Sequence, residues 1–219
     1  MVIESFYQES FYHLLRGALV GIQIAGLACS IGLVFGTILA LVQTGTSKFL
    51  RILATLYVGA VRGTPMLVQI MIVFFMLPQL GISFSAFWSA VLAIGLNSSA
   101  YLSQVIKTGI VSIGKGQWEA AYVLGFSRGQ SLRYIILPQA LRVVLPALGN
   151  EFVTLIKDSS LASTIGAVEL VKEGSLIISR TYKVIPVYAM ITVIYLCMTS
   201  IVLFGLSYLE KRLRTHAEY

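Results

Sequence analysis

The chain has 219 residues, 57% of them hydrophobic and only 11% charged, and its mean hydropathy is +0.86. Charged residues make up about a quarter of an ordinary soluble chain, so a water-soluble globular domain is excluded and lipid is the solvent for most of this protein. The formal charge of +7 is not clustered on one basic face, which excludes a nucleic-acid partner.

Five apolar runs match the roughly 20 helical residues that a hydrocarbon core requires, at about 14 to 42, 52 to 78, 87 to 111, 140 to 161 and 185 to 209. An unbroken helix satisfies its own backbone in lipid, so the expected fold is an all-α membrane protein, one transmembrane domain over residues 1–219. The first run follows Glu4 and Glu9 rather than a basic segment, and it is about twice the length of a signal-peptide core. It is read as a retained span. Lys48 and Arg51 follow span one, Lys107, Lys115, Arg128 and Arg133 follow span three, and Lys211, Arg212 and Arg214 follow span five. The positive-inside bias then places the N-terminus outside and the C-terminus in the cytoplasm. It makes the loop at about 112–139 cytoplasmic and the loop at about 162–184 external.

In span one, Gly17 with Gly21 and Gly32 with Gly36 have the spacing of close helix approach. Cys29 and Cys197 lie in apolar runs at no metal-ligand spacing and are read as packing residues. In span two, "RGTP" from Arg62 to Pro65 predicts a kink whose freed carbonyls neighbouring groups satisfy. Gln69, one turn on, is a candidate for the cavity side. Span three carries Asn97, which serves either as a ligand group or as a hydrogen-bonder between helices.

"GIVSIGKG", Gly109 to Gly116, nearly matches a phosphate-binding loop but has glycine where the magnesium-holding hydroxyl belongs, and no buried strand precedes it. No ATP hydrolysis is expected of this chain, and no cofactor or metal. The next segment, "WEAAYVLGFSRGQSLRYIILPQAL" from Trp118 to Leu141, is too polar to face lipid. Ala120, Ala121 and Leu124 form one short apolar face, Gly125 breaks the helix, Leu132, Ile135 and Ile136 form another, and Pro138 is expected to stop it. So short a helix is marginal in water and must rest on something, with its polar side toward a soluble partner.

Span four carries Glu151 and Asp158, seven residues apart. Seven helical steps leave an offset of only about 20° and a rise of roughly 10.5 Å, so the two share a face. A carboxylate at mid-membrane costs about 2.5 to 3.5 kcal/mol on insertion scales, so that face should look into a cavity. Glu151 and Asn97 each lie about ten residues from a span end, near mid-depth. With Asp158 nearer the outside, they form a candidate site for a zwitterion that also carries a cationic side chain. Glu151 has a second reading, internal pairing with Arg62, and Asp158 has one as a gate or structural residue after Lys157. Glu169, Lys172, Glu173, Arg180 and Lys183 make the external loop either a docking surface or a solvated connection.

Glu119, Ala120 and Ala121, then Gly125, then Ile135, Leu137 and Pro138 follow the pattern E-A-A-x3-G-x9-I-x-L-P, which resembles the cytoplasmic loop of bacterial ABC importer membrane subunits. "RGTPMLVQ", "LNSSAY" and "NEFVTLIKDSSLAS" narrow the resemblance to polar amino acid permeases of the histidine, glutamine and arginine type, over nearly the whole chain. The resemblance implies a type I importer permease fold in the bacterial inner membrane. It also implies two ATPase subunits carrying ATP and magnesium, a second permease copy or a related permease, and an extracytoplasmic substrate-binding protein. Residues Glu119, Ala120, Ala121 and Gly125 would then form the helix that docks on an ATPase and couples its closure to alternating access, with Glu119 either a surface contact or a cap that braces the loop. Asn97, Glu151, Asp158 and Gln69 would meet the amino acid, basic if Glu151 faces it and glutamine or another uncharged one if Glu151 is paired internally. Two expectations from other classes are a secondary transporter relaying protons through Glu151 and Asp158, and a non-transporting scaffold whose loop recruits a soluble protein.

Overall fold

The structure is a computed structural model that describes the backbone over residues 2–214 and the side chains over 6–211. Glu4, Arg212 and Arg214 therefore lie outside the described side chains. The described chain is helical throughout. Four helices, Phe6–Thr44, Ala86–Ser112, Arg128–Ile165 and Val184–Lys211, are each long and apolar enough to cross a membrane, and the bent pair Lys48–Arg62 with Met66–Leu80 makes a fifth if it is one span.

The framework is α1 (Val2–Thr44) packed along α4 (Ala86–Ser112), the most extensive helix pair in the fold. Glycine permits it. A Cβ at Gly32 would lie 2.6 Å from the Ser98 hydroxyl, and one at Gly36 would lie 3.0 Å from the Ser99 carbonyl. Ser98, Ser99 and Ser103 on the facing side of α4 are fully buried. Small residues on both surfaces let the backbones approach where lipid supplies no hydrophobic drive. The central core follows, with Ile24, Ala25 and Ala28 of α1 against Ile94 and Val91 of α4 and Leu155 and Ile156 of α7 (Leu137–Asp158).

The "RGTP" segment breaks span two into α2 (Lys48–Arg62) and α3 (Met66–Met71), with a bend of 102° between the two arms. Proline at position 65 has no N–H to continue the helix and extends the backbone before α3, at ψ 136°.

The segment between α4 and α7 begins with α5 (Lys115–Val123) and the single turn α6 (Arg128–Ser131). Gly125 adopts φ +80°; its N–H donates to the Tyr122 carbonyl at 2.9 Å and that of Phe126 to the Ala121 carbonyl at 3.0 Å. These are the paired bonds of a Schellman end, which favours glycine at the left-handed position. Ser127 and Gln130 cap α6 reciprocally, so the reversal is built locally.

Two expectations for this segment are corrected. Pro138 does not stop the helix, because a π turn at Leu132–Ile136 precedes it and Pro138 sits in the first turn of α7. The Leu137 N–H reaches back five residues to the Leu132 carbonyl, and this wider turn absorbs the missing donor. The expected apolar face of Ala120, Ala121 and Leu124 is also packed only through Ala121, and apolar residues share the outward surface with exposed Gln117 and Glu119. Tyr122, Val123 and Leu124 are 81%, 84% and 73% exposed, whereas Ala121 is buried.

After α7, a 3-10 turn at Ser159–Ile165 leads to α8 (Leu170–Thr181) and then α9 (Val184–Arg214). The stretch read as an external loop is therefore mostly a helix, capped by Glu169.

Candidate functional site

The 3.6-residue period of α7 places Glu151, Thr154 and Asp158 on one stripe. All three line one cavity of about 500 Å3, together with Asn97 and Tyr101 of α4 and the broken segment from Arg62 to Met66. The shared face of the two carboxylates is thus a feature of the fold, and Asn97 joins Glu151 in the lining of the same cavity. The volume lies within the range of small-molecule pockets.

The first contacts fix the walls. The Ser98 hydroxyl donates to Glu151 Oε1 at 3.3 Å, one residue along α4 from Asn97. The Asn97 amide donates to Gln69 Oε1 at 3.1 Å. The Gln69 amide donates to the Val61 carbonyl and to the Thr64 hydroxyl, each at 2.8 Å. Gln69 thus stands behind Asn97, outside the lining, and braces the helix break by satisfying a carbonyl that Pro65 frees. The Tyr57 hydroxyl donates to the Leu96 carbonyl at 2.9 Å and pairs with the Ser99 hydroxyl at 3.0 Å, holding α2 against α4.

Arg62 does not pair with Glu151. Its guanidinium lies 5.2 Å above the Tyr101 ring, and among the described residues no carboxylate comes within ion-pair distance of it. Sequence reasoning placed Arg62 only as an internal partner and passed over Tyr101 and Thr154. The signal was available in part: Thr154 is one turn from Glu151 and Tyr101 one turn from Asn97. The bend that turns Arg62 into the cavity was not legible.

Chemically the cavity offers one cation and two anions with a neutral amide between them. At an effective dielectric near 20, each unit charge pair formed at 4 Å would be worth about 4 kcal/mol before desolvation. Among the described residues no cluster of histidine, cysteine or carboxylates could hold a metal ion.

In the segment between α4 and α7, Glu119 and Ala120 are exposed and Ala121 is buried. A recess of about 370 Å3 is lined by Trp118, Tyr122, Phe126, Ser127, Arg128 and Ser131. The loop is tied to the span framework, because the Arg128 guanidinium donates to the Thr44 carbonyl at the end of α1 at 3.2 Å. The Gln139 amide of α7 also donates to Gln117 of α5 at 3.3 Å.

Residues 32–215 match the family described as binding-protein-dependent transport system inner membrane component. The chain is 35% identical over 209 residues to the probable glutamine ABC transporter permease protein GlnM of Bacillus subtilis, covering 95% of this chain and 94% of that one. It is 38% identical to the L-cystine transport system permease protein TcyB of the same organism, covering 94% of this chain and 89% of that one. A crystal structure of an amino acid ABC transporter with histidines contains a chain of the same fold, with a TM-score of 0.87 and 36% identity over 96% of this chain and 97% of that one. With a breached, charge-lined cavity between helices and an E-A-A loop beneath it, the chain belongs to the binding-protein-dependent transport system inner membrane components, as a permease of an amino acid ABC transporter.

Proposed function

We propose that this permease moves a polar amino acid with a cationic side chain through the Arg62–Glu151–Asp158 cavity. The charge count of that cavity carries the reading. With both carboxylates ionised, its lining holds one positive and two negative charges. A basic amino acid brings one carboxylate and two cationic groups, which neutralises the site; a side chain without charge leaves one cavity charge without a counterion, and such charges are costly in a membrane. Arg62, stacked on Tyr101, receives the α-carboxylate, Asp158 receives the α-ammonium, and Glu151, deeper along α7, receives the side chain. Asn97 adds a neutral hydrogen bond, and Gln69 acts through it.

Transport follows from the position of the cavity between helices. The N-terminus lies outside and the C-terminus in the cytoplasm of the bacterial inner membrane, and an extracytoplasmic binding protein delivers the amino acid. Two ATPase subunits, with ATP and magnesium, grip the loop through Glu119, Ala120, Ala121 and Gly125 and through the exposed Tyr122, Val123 and Leu124, whose apolar surface fits a groove on a partner. A second copy or a related permease completes the pore. Closure of the ATPases moves α5, and Arg128 and Gln139 pass that movement to α1 and α7 as a rigid-body change.

The second reading is an uncharged polar amino acid such as glutamine. It is favoured by the Ser98 bond, which already engages one Glu151 oxygen, and by the glutamine designation of a relative. A competition panel of lysine, arginine, histidine and glutamine against uptake by the reconstituted complex separates the two. Lysine or arginine should compete best, and glutamine competing as well as either would sink the basic assignment.

A further inference from the structure

Glu169 is the one charged side chain among the fully buried described residues, at 0% exposed. Neither the cavity nor the cytoplasmic joint uses it. Its carboxylate caps α8, accepting from the Val171 N–H at 3.0 Å and the Lys172 N–H at 2.8 Å. From α9, the Tyr195 hydroxyl donates to Glu169 Oε2 at 3.4 Å. From α1, Gly17 presses on the same junction, where a Cβ would lie 2.9 Å from the Glu169 carbonyl and the Leu170 backbone. One turn along α1, Gly21 faces the hydroxyl of Ser159, with 3.1 Å left for a Cβ, and Ser159 directly follows Asp158. A single glycine edge of α1 thus touches both the segment beside the cavity carboxylate and the root of α8. The far end of α8 is pinned separately, with Lys183 Nζ 3.9 Å above the Phe6 ring.

We infer that Glu169 is a positioning residue that latches the external helix α8 to α1 and α9, and through the Ser159–Ile165 turn sets the Asp158 wall of the cavity. This rests on the orientation proposed above, with α8 on the outer side. Leu170, Ile177 and Ile178 pack α8 against Leu14 and Ala18 of α1 and Val187 and Ile191 of α9, and at the root of that apolar seam the buried carboxylate is the one group whose charge can change.

The sign follows from burial. Desolvation raises Glu169 from the ordinary carboxylate range to about 7, against the lowering effect of the backbone N–H bonds and the Tyr195 hydroxyl. The groups facing it are Tyr195 from α9, the α1 backbone at Gly17, and the amides of its own helix. A released, hydrated Glu169 would return to about 4.3. Protons therefore favour the latched position, and the preference weakens as pH rises through 7. Between pH 6 and 8 a single such proton changes the latch equilibrium about tenfold.

The test is hydrogen exchange at the first turn of α8, residues 170–173, in the complex isolated from membranes through a tagged permease. After correction for intrinsic exchange, protection should fall about tenfold from pH 6 to pH 8. In Glu169→Gln, which keeps the shape but cannot ionise, it should be independent of pH. Tyr195→Phe removes a donor to the carboxylate and should move the midpoint to higher pH, a result that does not depend on the Glu169 variant folding. The ranking of amino acids in the competition panel should not change in either variant, which separates failure of the latch from failure of the substrate assignment. A pH-independent protection in the unaltered complex, or the same pH profile in Glu169→Gln, would overturn the inference.

Discussion

The Ser98 hydroxyl donates to Glu151 Oε1 at 3.3 Å, joining α4 to α7 at the depth where the cavity carries its charge. That bond orients Glu151 without neutralising it, so the carboxylate remains available to a cation.

Glu151→Gln keeps the shape and an acceptor for Ser98 but removes the charge. Loss of a charge-assisted hydrogen bond, about 1.5 to 3 kcal/mol, weakens cavity binding roughly ten- to a hundredfold. The loss should fall on lysine and arginine more than on glutamine, read as inhibition constants in reconstituted uptake. An unchanged ranking in a well-assembled variant leaves only the broader polar amino acid assignment. Assembly itself should survive, because Arg62 does not depend on this carboxylate.

Arg62→Gln should behave differently, weakening every amino acid to a similar degree, since each carries the same α-carboxylate. Tyr101→Leu removes only the cation–π contact, about 0.5 to 1 kcal/mol at an accessible site, and should weaken binding about two- to fivefold. A selective loss of basic substrates in Arg62→Gln would contradict the assigned orientation of the amino acid.

Gln69→Leu leaves the Val61 carbonyl and the Thr64 hydroxyl without their donor and Asn97 without its acceptor. The Asn97 amide is the buried group of the three, and leaving it unsatisfied costs about 1 to 3 kcal/mol. The expected result is reduced yield and thermal stability of the complex with an unchanged order of substrate preference. A shift in preference at normal stability would make Gln69 a direct ligand.

Gly125→Val places a β-branched residue at φ +80°, where even an unbranched L residue is strained by about 1 to 2 kcal/mol. The Schellman end should open and the exposed Tyr122–Leu124 knob lose its orientation. Substrate binding at mid-membrane should persist while ATP hydrolysis and uptake separate. Normal uptake per ATP would show that the loop does not couple them.

Gly32→Val tests the α1–α4 seam. A Cβ there would sit 2.6 Å from the Ser98 hydroxyl, so overpacking of about 1 to 3 kcal/mol should lower the melting temperature. It should also displace the Ser98 contact to Glu151, reducing affinity for basic amino acids beyond the stability loss. Wild-type stability would mean that the helices separate at no cost.

The approximate limits of the long apolar helices, the break at "RGTP", the bend at Gly125 and the common face of Glu151 and Asp158 were legible in the sequence, because each depends on neighbours within a turn or two. Hydrocarbon thickness, the missing proline N–H, the left-handed backbone of glycine and the 3.6-residue period are local constraints. Tertiary packing decided the rest. At the 102° bend Arg62 lies over Tyr101 without an ion pair to Glu151, and only the closeness of Asn97 to Gln69 showed that the glutamine braces the break. Pro138 continued into α7 because a π turn shifted the hydrogen bonds before it, and α5 presented Tyr122 to Leu124 outward because its buried contact is Ala121 alone. Glu169 lies in a charged, loop-like stretch, and its burial came from Gly17 and Tyr195, distant in the chain. Which charges are paired, and which are buried, depends on surfaces that helices from separate parts of the chain bring together, and no local pattern carries that information.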